Sequence, residues 1–249
     1  MRSTGESHIP RAKGSWSLLS DVGRVRKGNE DAAVLLPAGD GFSSGAIVCD
    51  GMGGGAAGEV ASAITVERIA QALAGSGSLA ERVSSGVTAA NTAIREHSRT
   101  QLDGAESGST MVLALVSGGR VTIAHLGDSR AYVLRAGRLE QLTADHTFVA
   151  EQVRAGLIPP ERAATHPLRS RLTKAVGAAE SATPSITEHE LLAGDLLLLC
   201  SDGLHGMASD EEIAAALVSD VDRSAKALVA LANGNGGKDN VTVALCRVA

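Results

Sequence analysis

The chain has 249 residues, of which 44% are hydrophobic and only 2% aromatic, and its formal net charge is −5. That is enough apolar material for one full core, which must be built mainly from Ala, Val, Leu and Ile. No Lys/Arg block and no aromatic-basic interleaving appears, which excludes a nucleic-acid surface. No apolar run approaches the roughly 18 residues that cross a bilayer.

Residues 1–13, "MRSTGESHIPRAK", carry charges but no apolar stretch of the kind a signal peptide needs. They read as a loose leader, with one domain over 14–249. Strand patterns follow at 15–20, 32–36 and 45–50. Two Ala-rich helical patterns come next, near 58–74 and 79–102, with "LAGSGSLAE" as the break between them. The stretch "GSTMVLALVSGGRVTIAHLGDSRAYVLRAGRLEQLT" reads as four short strands with turns at "SGG", "GDS" and "AGR", an antiparallel meander. "SITEHEL", "DLLLLC" and "NVTVALCRV" add three more strands. Two helices near 209–219 and 222–232 precede the last, the first opened by "SDEE", a cap followed by acids. Strands in this number, with helices grouped in pairs, predict an α+β fold of stacked antiparallel sheets covered by helices.

Three cysteines, Cys49, Cys200 and Cys246, lie in apolar segments and form no CxxC. They read as inert buried thiols in a reducing, cytoplasmic setting. The histidines show no metal-ligand spacing and read as structural or solvent-facing, His146 and His205 being the least secure because they flank motif segments.

"AIVCDGMGGGAAGEVAS" places a Gly-rich turn between a strand and a helix. Gly53 to Gly58 matches GxGxxG, the turn of a dinucleotide site. The match begins three residues beyond Asp50, however, and no parallel βαβ unit follows. The carboxylate before the turn is more informative, because its setting recurs. "IVCDG" and "LLLCSDG" both end an apolar strand in Asp-Gly. "HLGDSR" puts Asp128 in a turn, "GKDNVTV" puts Asp239 before the last strand, and "RKGNEDAAVLL" puts Glu30 and Asp31 at the mouth of an early one. Acids at strand ends can converge on one edge of a stacked-sheet core. An all-oxygen set without a His/Cys pattern points to a hard cation, Mg²⁺ or Mn²⁺, rather than zinc.

In order along the chain, the segments "SDVGRVRKGNEDA", "DGMGG", "GEVAS", "SGSTMVLALV", "AHLGDSRAYVLR", "LTADHT", "HPLRSRLTKAVG", "CSDGL" and "KDNVTV" resemble the metal-dependent protein phosphatases, the protein phosphatase 2C or PPM family, in its bacterial serine/threonine form. The resemblance spans about residues 15–248. It implies a central β-sandwich flanked by helix pairs, in four α-β-β-α layers. It implies hydrolysis of phosphoserine and phosphothreonine in proteins by a hydroxide bridging two metals, in opposition to bacterial serine/threonine kinases.

By the same resemblance, Asp50 bridges the two ions, Asp202 and Asp239 serve one, and Glu30 with the Gly51 carbonyl serves the other. Asp31 orients these ligands from behind, and Asn240 fixes the turn around Asp239. Arg26 binds the substrate phosphate. Asp128, with Asp202, holds a third ion, and Ser170 reaches that site. The implied cofactors are two core Mn²⁺ or Mg²⁺ ions and a third. The implied partners are phosphorylated proteins, kinases among them, met by a cytoplasmic monomer that binds neither nucleic acid nor membrane. The alternative reading is a non-catalytic or dedicated regulatory protein of a partner-switching pathway. The sequence departs from the pattern at Met52 and Gly55, where relatives carry a histidine. A histidine acid at that place is therefore not expected.

Overall fold

The computed structural model describes residues 15–249 in full and residues 5–9 by their backbone. The first elements are β1 (Gly5–Ile9), β2 (Ser15–Asp21), β3 (Asp31–Leu36), β4 (Ser44–Met52), α1 (Ala56–Leu73) and α2 (Leu79–Gln101). Next come β5 (Gly108–Ser109), β6 (Met111–Ser117), β7 (Arg120–Leu126), β8 (Arg130–Arg135), β9 (Arg138–Gln141) and α3 (Phe148–Arg154). The chain finishes with β10 (Ser185–Glu190), β11 (Leu196–Cys200), α4 (Asp202–His205), α5 (Asp210–Ala216), α6 (Val221–Gly234) and β12 (Val241–Arg247).

The strands form two antiparallel sheets. One runs β1-β2-β12-β11-β8-β9, the other β10-β7-β6-β4-β3, with β5 pairing the end of β4. Side chains alternate across each strand. In "LLLLC", Leu197 and Leu199 join Val48, Val112 and Ala244 between the sheets. Leu196, Leu198 and Cys200 face outward against Ile213 and Leu228 of α5 and α6. Ile47 and Leu113 of the other sheet pack on Ile69, Val83 and Val87 of α1 and α2. Central strands covered on both faces explain why their sequences are unbroken apolar runs rather than alternations. The expected α-β-β-α layering is present.

Local signals set the helix starts. Ser78 with Glu81, and Ser209 with Glu212, form reciprocal capping boxes at α2 and α5, and Asp220 caps α6.

Three differences from the sequence expectations bear on the site. The four-strand meander is two hairpins in different sheets: β6–β7 lies in one and β8–β9 in the other. The "GDS" turn is therefore a step between sheets, which strand alternation on either side cannot reveal. Within the stretch read as a leader, Gly5–Ile9 pairs antiparallel with β2, and the remainder of residues 1–14 lies outside the described residues. Finally, α3 and a 3₁₀ turn at Pro160–Arg162 stand between "LTADHT" and "HPLRSRLTKAVG", where no helix was expected. Among the described residues, no helix is long and apolar enough to cross a membrane.

Candidate active site

The layer between the sheets changes character at one end. Along β4, Ala46 and Val48 face the apolar layer, and Asp50, two residues further, continues that face. Asp31 sits directly across from Asp50 in the β3–β4 register. On the other sheet, Leu197 and Leu199 are followed by Ser201, and Ala244 is preceded by Thr242 and Asn240. The core thus ends in a row of polar groups. Asp128 and Asp202 leave the other sheet together, because β8 and β11 pair Arg130 with Cys200 and each acid lies two residues beyond that pair.

A cleft of about 640 Å³ opens here. Arg26, Glu30, Asp50, Gly51, Asp128, Ser170, Asp202 and Asp239 all line it. Eight of the ten residues singled out from the sequence therefore share one cavity. The other two stand behind it. Asp31 accepts from Ser201 Oγ at 2.8 Å. Asn240 is 3% exposed and ties three chain segments together. Its Oδ1 accepts from the Glu30 N–H at 2.8 Å, and its Nδ2 donates to the carbonyls of Val22 and Gly28, each at 2.9 Å.

Glycines make the close approach possible. A side chain on Gly51 would strike the Gly58 carbonyl, and one on Gly58 would strike the Glu30 carboxylate. Gly53, Gly54 and Gly55 have φ of 127°, 82° and 57°, a run that favours glycine at each position. The Gly55 N–H donates to Glu30 Oε1 at 2.9 Å. One donor of the Gly-rich turn is thus spent on a carboxylate of this cluster.

Hydroxyl links that the sequence reading missed join the acids. Thr110 Oγ1 accepts from the Asp50 N–H at 2.9 Å and lies 2.6 Å from Ser129 Oγ, beside Asp128. The signal was legible, since Thr110 and Ser201 stand inside the motif segments "SGSTMV" and "CSDGL". Lys174 also lines the cleft and was not singled out. His146 and His205 do not line it. His146 Nδ1 accepts from the Gly127 N–H at 3.2 Å, and its ring stacks on His125 at 4.5 Å.

The electrostatics are those of crowded carboxylates. Burial pushes Asp31 and Asp128 up to about 7, and neighbouring carboxylates push the same way, with Asp202 foremost among them. Burial, then the charges of Asp31, Asp202 and Asp128, raises Asp50 well above the usual range, and Asp202 is raised by burial and Asp239. Asp31 Oδ1 and Asp202 Oδ1 are buried with no hydrogen-bond partner. Among the described residues no three or more His, Cys, Asp or Glu side chains are already gathered as a metal-holding group. Individual carboxylates instead hold the protein's own donors, Asp239 taking Arg26 and Glu30 taking Gly55. Oxygen donors in excess, mutual repulsion and two orphaned oxygens fit hard divalent cations.

Comparison with known proteins bears on what such a cleft does. The family model for protein phosphatase 2C matches residues 25–242. The chain belongs to the protein phosphatase 2C family. The serine/threonine protein phosphatase PstP of Mycobacterium tuberculosis is 42% identical over 240 residues, covering 94% of this chain and 45% of that protein. The chain thus spans about half the length of that family member. The serine/threonine phosphatase stp of Listeria monocytogenes is 36% identical over 234 residues, covering 91% of this chain and 92% of its own. The crystal structure of the PstP catalytic domain in complex with two manganese ions superposes with a TM-score of 0.83 at 38% identity, covering 95% of this chain and 98% of that one. The stacked sheets described above are the fold of this phosphatase family.

Proposed function

We propose that the chain is a metal-dependent serine/threonine protein phosphatase, which hydrolyses phosphoserine and phosphothreonine in proteins and opposes bacterial serine/threonine kinases. The observation that carries this reading is the convergence of Glu30, Asp50, Asp202 and Asp239 with Arg26 on one open cleft. The names of the relatives and the two manganese ions of the PstP structure support it.

Asp50, Asp202, Asp239, Glu30 and the Gly51 carbonyl are assigned to two core Mn²⁺ or Mg²⁺ ions, and Asp128 with Asp202 to a third, within reach of Ser170. Bound there, the ions supply Lewis acidity that neutralises a phosphate dianion and makes water a competent nucleophile near neutral pH. The chain's own groups do the rest. Asn240 holds the Glu30 backbone from behind, and Asp31, opposite Asp50 in the sheet, ties that edge to Ser201. Arg26, half exposed at the mouth, turns a planar, permanently charged fork toward phosphate oxygens. Met52 lines the cleft and has no proton to give, and no histidine among the described residues lines it. The leaving alkoxide is therefore protonated from solvent in the open cleft rather than by an imidazole.

The substrates are phosphorylated proteins, kinases among them. The three free, buried cysteines suit a reducing cytoplasm. The deciding experiment is hydrolysis of a phosphothreonine peptide with Mn²⁺, with chelator, and with Mn²⁺ restored. Turnover that needs the metal and vanishes in folded Asp50→Asn supports the reading. Full turnover in excess chelator overturns it.

A further inference from the structure

His205 belongs to neither the core acids nor the cleft that holds Asp50. It is the last residue of the one-turn helix α4, which Asp202 opens. Its Nε2 lies 3.0 Å from the backbone carbonyl oxygen of Asp128. A carbonyl only accepts, so Nε2 carries the hydrogen and donates it. A single imidazole therefore bridges the helical turn of Asp202 to the inter-sheet turn of Asp128, across 77 residues of sequence.

The turn is held on its other side as well. Arg130, two residues after Asp128, forms a bidentate pair with Asp145, its Nε 2.9 Å from Oδ1 and its Nη2 2.7 Å from Oδ2. Its Nη1 donates to the Tyr132 hydroxyl at 2.8 Å. Ser129 is hydrogen-bonded to Thr110, which also receives the Asp50 N–H. The Asp128 backbone is thus fixed toward the core by Thr110 and Ser129, and toward α4 by His205 alone among the hydrogen bonds of the described residues. Asp128, Ser170, Asp202 and His205 line a second cavity of about 450 Å³ that adjoins the catalytic cleft.

We infer that His205 is a positioning residue that sets the spacing between Asp128 and Asp202, and so tunes a weaker cation site shared by those two acids without contacting substrate. The inference rests on the proposed reading of these acids as metal ligands. A bond from a neutral ring to a backbone carbonyl has no part in proton transfer. It fixes where one carboxylate-bearing turn sits relative to the other. Groups that orient metal ligands in this way typically change affinity by about 10- to 100-fold when removed.

The test is Mn²⁺ titration of the chelator-stripped full chain by calorimetry, with Asp128→Ala marking which step belongs to the weaker site. His205→Ala is expected to weaken that step by about tenfold or more and to leave the tighter steps in place. His205→Gln, whose amide N–H reaches the same carbonyl, is expected to restore it. If the alanine variant melts at room temperature, His205→Met, similar in bulk and lacking a donor, takes its place in the comparison. A wild-type weaker step that persists unchanged in the donor-less variant overturns the inference while leaving the phosphatase reading intact. So does equal weakening of all steps, or a wild type that shows only tight steps. A wild type that binds no Mn²⁺ at all overturns the metal reading itself.

Discussion

Arg26 donates through Nη2 to Asp239 Oδ2 at 2.7 Å, joining residues 213 positions apart at the mouth of the cleft. Both side chains are substantially exposed, 47% and 34%, so the pair adds little to stability. Its interest is competitive. On the proposed roles, a cation taken by Asp239 and a phosphate taken by Arg26 would each draw one partner away from the other.

Arg26→Ala is therefore expected to separate metal binding from substrate binding. A charged hydrogen bond is worth about 1.5–3 kcal/mol, so kcat/KM should fall roughly 10- to 100-fold. Mn²⁺ affinity should hold or tighten, because Asp239 loses a competing cation. Steady-state kinetics and calorimetry on the same preparation check both halves. A collapse of metal affinity would make Arg26 a structural residue.

Metal binding should be linked to pH. Asp31 and Asp128 are raised from an ordinary carboxylate value to about 7 in the folded chain. Raised groups contribute stability that is fully present below the unfolded value and lost as pH climbs through the folded one. Through these two groups the chelated protein should lose stability as pH rises from about 4 to about 7. Added Mn²⁺ should raise Tm by an amount that grows over the same window, since it relieves the repulsion of ionised carboxylates. Scanning fluorimetry with chelator or Mn²⁺ across the window measures it. A metal-induced shift that is flat in pH would contradict this account.

The stacked histidines have the opposite sign. Burial, and repulsion by His125, Lys174 and Arg154, lower His146 to about 4, and burial lowers His125. Asp145 and Glu151 oppose these shifts without reversing them. A depressed histidine contributes stability above its unfolded value, near 6.5, that is lost as pH falls toward its folded value. Comparing His146→Gln with wild type in one metal-free buffer cancels the shared carboxylates. As pH drops through that window, the Tm of the variant relative to wild type should rise, because only wild type bears the cost of keeping His146 neutral. On a phosphopeptide it should keep kcat within about tenfold, below the range of a general acid. Equal acid slopes in the two proteins would remove His146 from the explanation.

How much of this was legible in the sequence follows from which interactions are local. The strand runs, the helix cap at Ser209 and the acids at strand ends are each written within a few residues, and they are found where the pattern put them. The step from β7 to β8 was not legible, because Gly127 and Asp128 look like any hairpin turn. Only long-range pairing places the two strands in different sheets. The supports of the cleft were legible in part, since Thr110 and Ser201 stand inside motif segments while their partners across the fold follow from no spacing. Thr110, Ser129 and Ser201 are small hydroxyl residues whose importance lies in what the fold sets opposite them. The His205 contact joins two turns that no spacing rule connects.

The last prediction uses two glycines that differ in what stands against them. A Cβ on Gly51 would meet the Gly58 carbonyl and the Glu30 carbonyl, which are backbone and cannot yield without moving α1 or β3. Gly51→Ala should therefore lower Tm sharply or prevent folding. A Cβ on Gly58 would strike chiefly the Glu30 carboxylate, the end of a flexible side chain held by the Gly55 N–H, and would also press on the Gly51 carbonyl carbon at 3.0 Å. Gly58 also lies in the first turn of α1, where alanine favours the helix by up to about 1 kcal/mol. Gly58→Ala should consequently fold, with a chelated Tm lowered far less than in Gly51→Ala, while its Glu30 is pushed aside. If Glu30 is a metal ligand, Mn²⁺ affinity should drop by about tenfold or more, and kcat/KM at limiting Mn²⁺ should drop with it. Saturating Mn²⁺ should recover part of the loss, and Glu30→Gln should mimic the defect. A folded Gly58→Ala protein with wild-type Mn²⁺ affinity would show that Glu30 keeps its carboxylate on the backbone of the Gly-rich turn and takes no part in holding the metal.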